Sequence, residues 1–152
     1  MAERNSVQAQ KVADNKKLMP AESHGRQRVL VATLPAAHAA YPVNDTIVLG
    51  VVPVNSRFLT GGVVSVGGAG TASSTLDIGV RNANTKVVGD ADGIATGVDI
   101  SAAGKIAADT GALIAAAADY ITPHDVEVYA TVLGASLAAN QQLRIELPYV
   151  TD

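Results

Sequence analysis

The residues able to do chemistry are few and far apart. Three histidines, His24, His38 and His124, fall in no His-Glu-x-x-His or comparable spacing, so no two imidazoles are set to share a metal. His124 precedes Asp125, the pair that a general base and its orienting carboxylate would need. It also follows Pro123 in a turn, where solvent-facing histidines are common. No serine stands in a Gly-x-Ser-x-Gly elbow, and there is no cysteine to act as nucleophile, thiolate ligand or disulfide half. Asp90 and Asp92, in the run Gly-Asp-Ala-Asp-Gly, and Asp99 beyond it offer oxygens suited to Ca²⁺. The run lacks the further short-range ligand and the closing glutamate of an EF-hand loop, so an Asx turn is expected there. The glycine tract at residues 67–71 resembles a phosphate cradle, but such a cradle needs a helix start directly behind it, and a strand pattern follows instead. No Gly-Lys-Ser/Thr sequence occurs. No catalytic, cofactor or metal residue is therefore assigned, and no enzyme activity is expected.

The elements that would carry these residues read as strands. Residues 29–34 form a β-branched run closed by Pro35, residues 46–54 a second strand, and Pro53 marks that strand as an edge or a bulge because it cannot donate to a ladder. Asn44-Asp45-Thr46, a formal glycosylation sequon, reads as the turn that opens the second strand. Residues 57–66 read as a third strand interrupted at Gly61 and Gly62. In residues 73–80 the alternation is clear, with Leu76, Ile78 and Val80 on one face and Thr75, Asp77 and Gly79 on the other. Residues 82–85 and 89–93 read as turns around a short strand at 86–88. Residues 112–118 combine helix-favouring alanines with a strand-like length, and strand is the expectation taken here. Residues 125–133 alternate again, placing Val126, Val128, Ala130 and Val132 on one face, and residues 143–150 close the domain. About eight short strands between turns predict an all-β antiparallel sandwich or jelly-roll-like domain over residues 26–152.

Residues 1–25 differ in kind. They are rich in Gln, Asn, Lys, Glu and Ser, show no sustained period, and predict a flexible arm in which residues 7–18 become helical only against a partner. The arm opens without an apolar signal segment, and no apolar run reaches the ~18 residues of a membrane span, so neither secretion nor a membrane is expected.

The formal net charge of −3 hides an asymmetry: residues 1–28 hold six basic residues against three acidic ones, a net of +3, and the remainder carries −6. A basic arm on an acidic body suits docking onto an acidic protein surface, and Arg4, Lys11, Lys16, Lys17 and Arg26 are the candidate contact residues. Nucleic acid is not expected as a partner, because no aromatic cluster with Lys or Arg is present to stack on bases and hold phosphates.

Three phrases, TIVLGVVPVNSRFLTGGVVSV at residues 46–66, STLDIGV at 74–80 and LRIELPYV at 143–150, give residues 28–152 a pattern that resembles small virion structural proteins of tailed bacteriophages. It is similar in particular to capsid decoration, or cement, proteins. The resemblance implies a β-sandwich on the outside of an icosahedral shell, made in the host cytoplasm. It implies a homo-oligomer, a trimer at local threefold axes, whose partner is the major capsid protein. It brings no catalytic residue and no cofactor. Two other readings stay open: a neck, tail or head-fibre component with the same fold, and a carbohydrate-binding module. The latter would have to be built from Tyr41, Phe58, Tyr120, Tyr129 and Tyr149 without any tryptophan.

Overall fold

Small β-branched and apolar residues on alternate positions drive most of the chain into strands. The computed structural model of the protein describes residues 7–18, 25–117 and 119–151. Along the chain run α1 (Val7–Ala13), β1 (Arg26–Thr33), β2 (Thr46–Val52), β3 (Arg57–Phe58), β4 (Val63–Val66), β5 (Thr75–Asn82), β6 (Val88–Asp99), β7 (Gly104–Ala107), α2 (Ala112–Ala115), β8 (Val126–Leu133) and β9 (Leu143–Thr151). One sheet has the order β1-β9-β4-β7, with β3 also on β9, and the other the order β2-β8-β5-β6. Every strand pairing is antiparallel. The fold is the β-sandwich that the turn spacing predicts, with β7 added between elements that the sequence pattern separates.

The core lies between the sheets. Val64, Val66, Leu143, Ile145 and Leu147 of the first sheet and Leu76, Ile78, Val80, Val126, Val128, Ala130 and Val132 of the second are all buried. These are the faces that alternation assigns to the interior. Valine and alanine dominate, so the layers are filled mainly by short side chains, with larger ones such as Phe58 and Leu137 also buried.

Pro53 falls just after β2, which is an edge strand as its proline requires, and β2 also carries a break in register between Val48 and Gly50. The turn after it is clamped by Thr122, whose hydroxyl donates to the Pro53 carbonyl at 2.8 Å and accepts from the Ser56 amide at 2.8 Å. The sequon is the turn before β2, with Asn44 at φ +73°.

Four expectations need correction. Residues 57–66 are two strands, because the chain leaves the sheet at Gly61, whose φ of +98° suits glycine, and returns beside the Ala108 carbonyl at Gly62. Residues 89–93 are not a turn: β6 runs straight through them, paired to β5 with three register shifts. Gly93 in this stretch and Gly79 on β5 serve close approach instead. A Cβ on Gly79 would stand 2.2 Å from the Asp90 carbonyl oxygen, so the β6 backbone can arch over β5 only because that side chain is missing. The short strand expected at 86–88 is likewise absent: Lys86 has φ +61° in the β5–β6 turn, and Val88 opens β6. Residues 112–117 are not a strand either; Ala112–Ala115 form α2, and Ala118 lies outside the described residues. The alanines win there because Gly111 sits flush against the Gly93 backbone and leaves no ladder to join, while Leu113 and Ile114 pack on the core.

Gly79→Ala should therefore lower stability by about 1–3 kcal/mol, since the new methyl meets backbone that cannot rotate away. Gly68→Ala, with nothing near its missing Cβ, is the matched control and should be close to neutral. Urea unfolding of both variants checks the pair.

Candidate interaction surface

The structure separates the residues with chemical potential. The His124 ring contacts the Asp125 main-chain carbonyl at 3.1 Å, and the Asp125 carboxylate is taken by the Val54 amide at 2.9 Å, so no His–carboxylate pair forms between them. His38 stacks on Tyr41 with ring centroids 4.9 Å apart, between the carbonyls of Ala39 and Gln141. His24 lies outside the described residues. Asp90 accepts from the Asp92 amide at 3.3 Å, the Asx arrangement expected. Asp99 turns instead to Ser101, accepting from its amide at 2.8 Å and its hydroxyl at 2.6 Å, and these two bonds hold its carboxyl below the usual aspartate range. The glycine tract leads into β5, a strand, and Gly70 lies against the Gln141 side chain and the Ile100 carbonyl.

One charged cluster is centred on a buried carboxylate, and sequence reasoning missed it. The outward face of β8, polar by alternation, carries Glu127 and Tyr129, yet both are about 95% covered, at 5% and 4% exposure. Arg81 of β5 reaches Glu127 Oε1 from Nε at 2.6 Å, and Lys86 from the β5–β6 turn takes Oε2. The Arg81 guanidinium also lies 4.7 Å from the Tyr129 ring centroid, a cation–π contact. Lys86 bonding leads the causes that hold the Glu127 carboxyl below the ordinary glutamate value, against the opposing pull of burial. The cluster ties the hairpin turn down onto β8.

Above it, the hairpin and the chain before β8 enclose a groove of about 500 Å³, lined by Val80, Arg81, Val87, Val88, Leu113, Tyr120 and His124. Burial, and then the charge of Asp90, push the Tyr120 hydroxyl above its ordinary pKa, and both residues line the groove. Its aromatic content is small. Tyr120 stacks on the buried Phe58, and Tyr41, Tyr120 and Tyr149 are part-exposed.

The expected contact residues divide between two places. Lys11 is in the last turn of α1, Lys16 and Lys17 are exposed just after it, and Lys16 pairs with Asp14 at 3.7 Å. Arg26 opens β1, where it faces Thr151. Arg4 lies outside the described residues. Residues Val7–Ala13 of the arm are the helix α1. A second surface was not anticipated: Val29 and Val31 on β1 and Val48 and Val51 on β2 are all more than half exposed along one rim of the sandwich. The unbroken apolar run of residues 29–32 was its sequence signal, since a strand apolar at consecutive positions asks to be covered on both faces.

No family model matches the sequence, and no curated protein matches it. The fold, however, is that of chains in phage capsids. A chain in the capsid of Ralstonia phage GP4 superposes with a TM-score of 0.64 at 17% identity, over 90% of this chain and 92% of that one. A chain of the cyanophage Pam1 capsid asymmetric unit matches over 100% of both, with TM-score 0.57 and 15% identity. A third, from the acidic stable capsid of Helicobacter pylori bacteriophage KHP30, gives 0.52 at 17% identity over 84% of this chain and 90% of that chain. The sandwich expected from the strand phrases and the fold found in these capsids agree.

The Glu127 cluster makes a pH prediction. Its carboxyl has a depressed value in the fold, so the stability it contributes is fully present above the ordinary value of 4.5 and fades as pH falls through the lower folded value. Glu127→Gln should melt below the parent at neutral pH by a constant gap, and the gap should narrow only below about pH 4.5. Thermal melts across pH 3–7 check it.

Proposed function

We propose that this chain is a structural protein of a phage virion, a cement subunit that decorates the outside of an icosahedral shell. The observation that carries the reading is the likeness in fold to chains of three phage capsids, over at least 84% of this chain in each case. The chain's own features fit. A sandwich filled by short apolar side chains is a stiff body, and the rim valines and basic arm are surfaces made for neighbours rather than for a substrate.

In this reading residues 1–25, with Arg4, Lys11, Lys16 and Lys17, and Arg26 at the foot of the arm, contact the major capsid protein or a neighbouring subunit. The sandwich supplies the platform. One arm binds weakly, because ordering a polar segment costs entropy, but several arms on one oligomer act together through effective concentration. The subunit works on the shell by contact alone, with no reaction step and no cofactor.

Deleting residues 1–25 should leave the sandwich folded, with an unchanged melting temperature and only the α1 contribution lost from the far-ultraviolet spectrum, and should abolish binding to empty shells in co-sedimentation. Full occupancy by the truncated protein would remove the arm from the mechanism. Failure of the full-length protein to bind any shell would remove the cement role itself. Charge reversal at Lys11, Lys16 and Lys17 should weaken binding in proportion to the salt sensitivity of the parent.

A further inference from the structure

Each sheet has two edges, and an unprotected edge is a template for another strand. Three of the four are blunted. β2 breaks register between Val48 and Gly50 and ends at Pro53; β6 shifts register three times; β7 spans four residues and starts at Gly104 with φ +144°. The edge made by β1 has none of these defences. Its eight residues pair one-to-one with β9 from Arg26 to Thr33 without a shift, and they include neither proline nor glycine. Among the described residues β9 is its only strand partner, so alternate amides and carbonyls of β1 point away from the sheet.

We propose that β1 is a self-pairing edge, on which a second copy of this chain adds its own β1 antiparallel about a twofold axis at Leu30. Side-chain direction limits the register. Leu30 and Ala32 pack inward and Val29 and Val31 stand outward, exposed by 51% and 55%, so only registers that match outward with outward residues keep both faces continuous. Centring on Leu30 sets Val29 opposite the second copy's Val31 and Val31 opposite its Val29, a β-branched cluster on the outer face.

Charge selects a second copy as the occupant. Arg26 and Arg28 at the start of β1 are exposed and have no ion pair in the described structure. At the far end, Thr33 faces Arg144 of β9, whose charge is taken by Glu146 at 3.2 Å, while exposed Asp45, without an ion pair, lies two residues before Ile47, which lines a small cavity with Thr33 and Leu34. Antiparallel pairing lays the basic end of one copy along the acidic end of the other, twice over. Like charges stay apart, because Arg28 falls opposite Ala32 and Arg26 opposite Leu34. One strand edge and four valines make a contact smaller than the about 1,200 Å² of a standard interface, so association is weak in dilute solution and grows with concentration. It links copies in twos, a contact distinct from a threefold grouping.

The pairing needs no shell, so its test stands apart from the virion reading. Sedimentation of the full-length protein over rising concentration should show a monomer-to-dimer shift, or pairing of larger units, that salt weakens. Val31→Lys should reduce association at least tenfold with the melting temperature unchanged. Asp45→Lys should weaken it, and adding Arg26→Glu and Arg28→Glu to that variant should restore it. Because the chain has no cysteine, register can be read directly: Val29→Cys and Val31→Cys chains, mixed and oxidised, should cross-link more than either alone. A protein that stays monomeric to its solubility limit, or an oligomer indifferent to Val31→Lys, overturns the proposal. Equal cross-linking in mixed and unmixed samples overturns the register.

Discussion

The first sheet depends on β9. This last strand bonds to β1 along one side and to β3 and β4 along the other, and β7 joins only through β4. Leu143, Ile145 and Leu147 project from it into the core at the centre of that face. The closing segment of the chain must therefore reach back to the first strand before the sheet exists, a long-range closure whose entropy is offset only by burial against the second sheet. The corresponding hub of the second sheet is β8, between β2 and β5. Both hubs are regular apolar strands, and the irregular stretches, the bulge in β2 and the shifts in β6, are kept at the edges where the ladder tolerates them.

From this arrangement follows where the molecule can act. Its interior is a thin, dry layer, and the groove above the Arg81–Glu127–Lys86 cluster is built on charges already spent on one another. What remains open is peripheral: the rim of valines on β1 and β2, the free ladder of β1, and the basic segment that enters it at Arg26. Among the described residues the most regular of the four sheet edges is therefore β1, and the fold is like that of chains in phage capsids.

Several features were legible in the residues alone. Alternation in residues 75–80 and 126–132 sorts inside from outside with no error on the apolar side, because period two on a half-buried strand leaves one answer. Pro53 announces an edge for the same kind of local reason, a missing donor. The polar face of β8 was misleading. Glu127 and Tyr129 are outward by alternation, yet they are covered by Arg81 and by a hairpin turn that arrives from β5, and no local pattern encodes that arrival.

The sequence by itself determined the class of structure, the inner faces of the main strands, the polarity of the arm and the acidity of the body. These depend on each residue's own transfer free energy and on near neighbours. Only the tertiary structure decided that residues 89–93 run on as strand where Gly79 lets the backbones cross, that residues 112–115 form a helix, and that β1 is the unbroken edge among the described residues. Those outcomes rest on which segments meet across the chain, and the pairing of distant strands is set by the balance of the whole core rather than by any stretch of it.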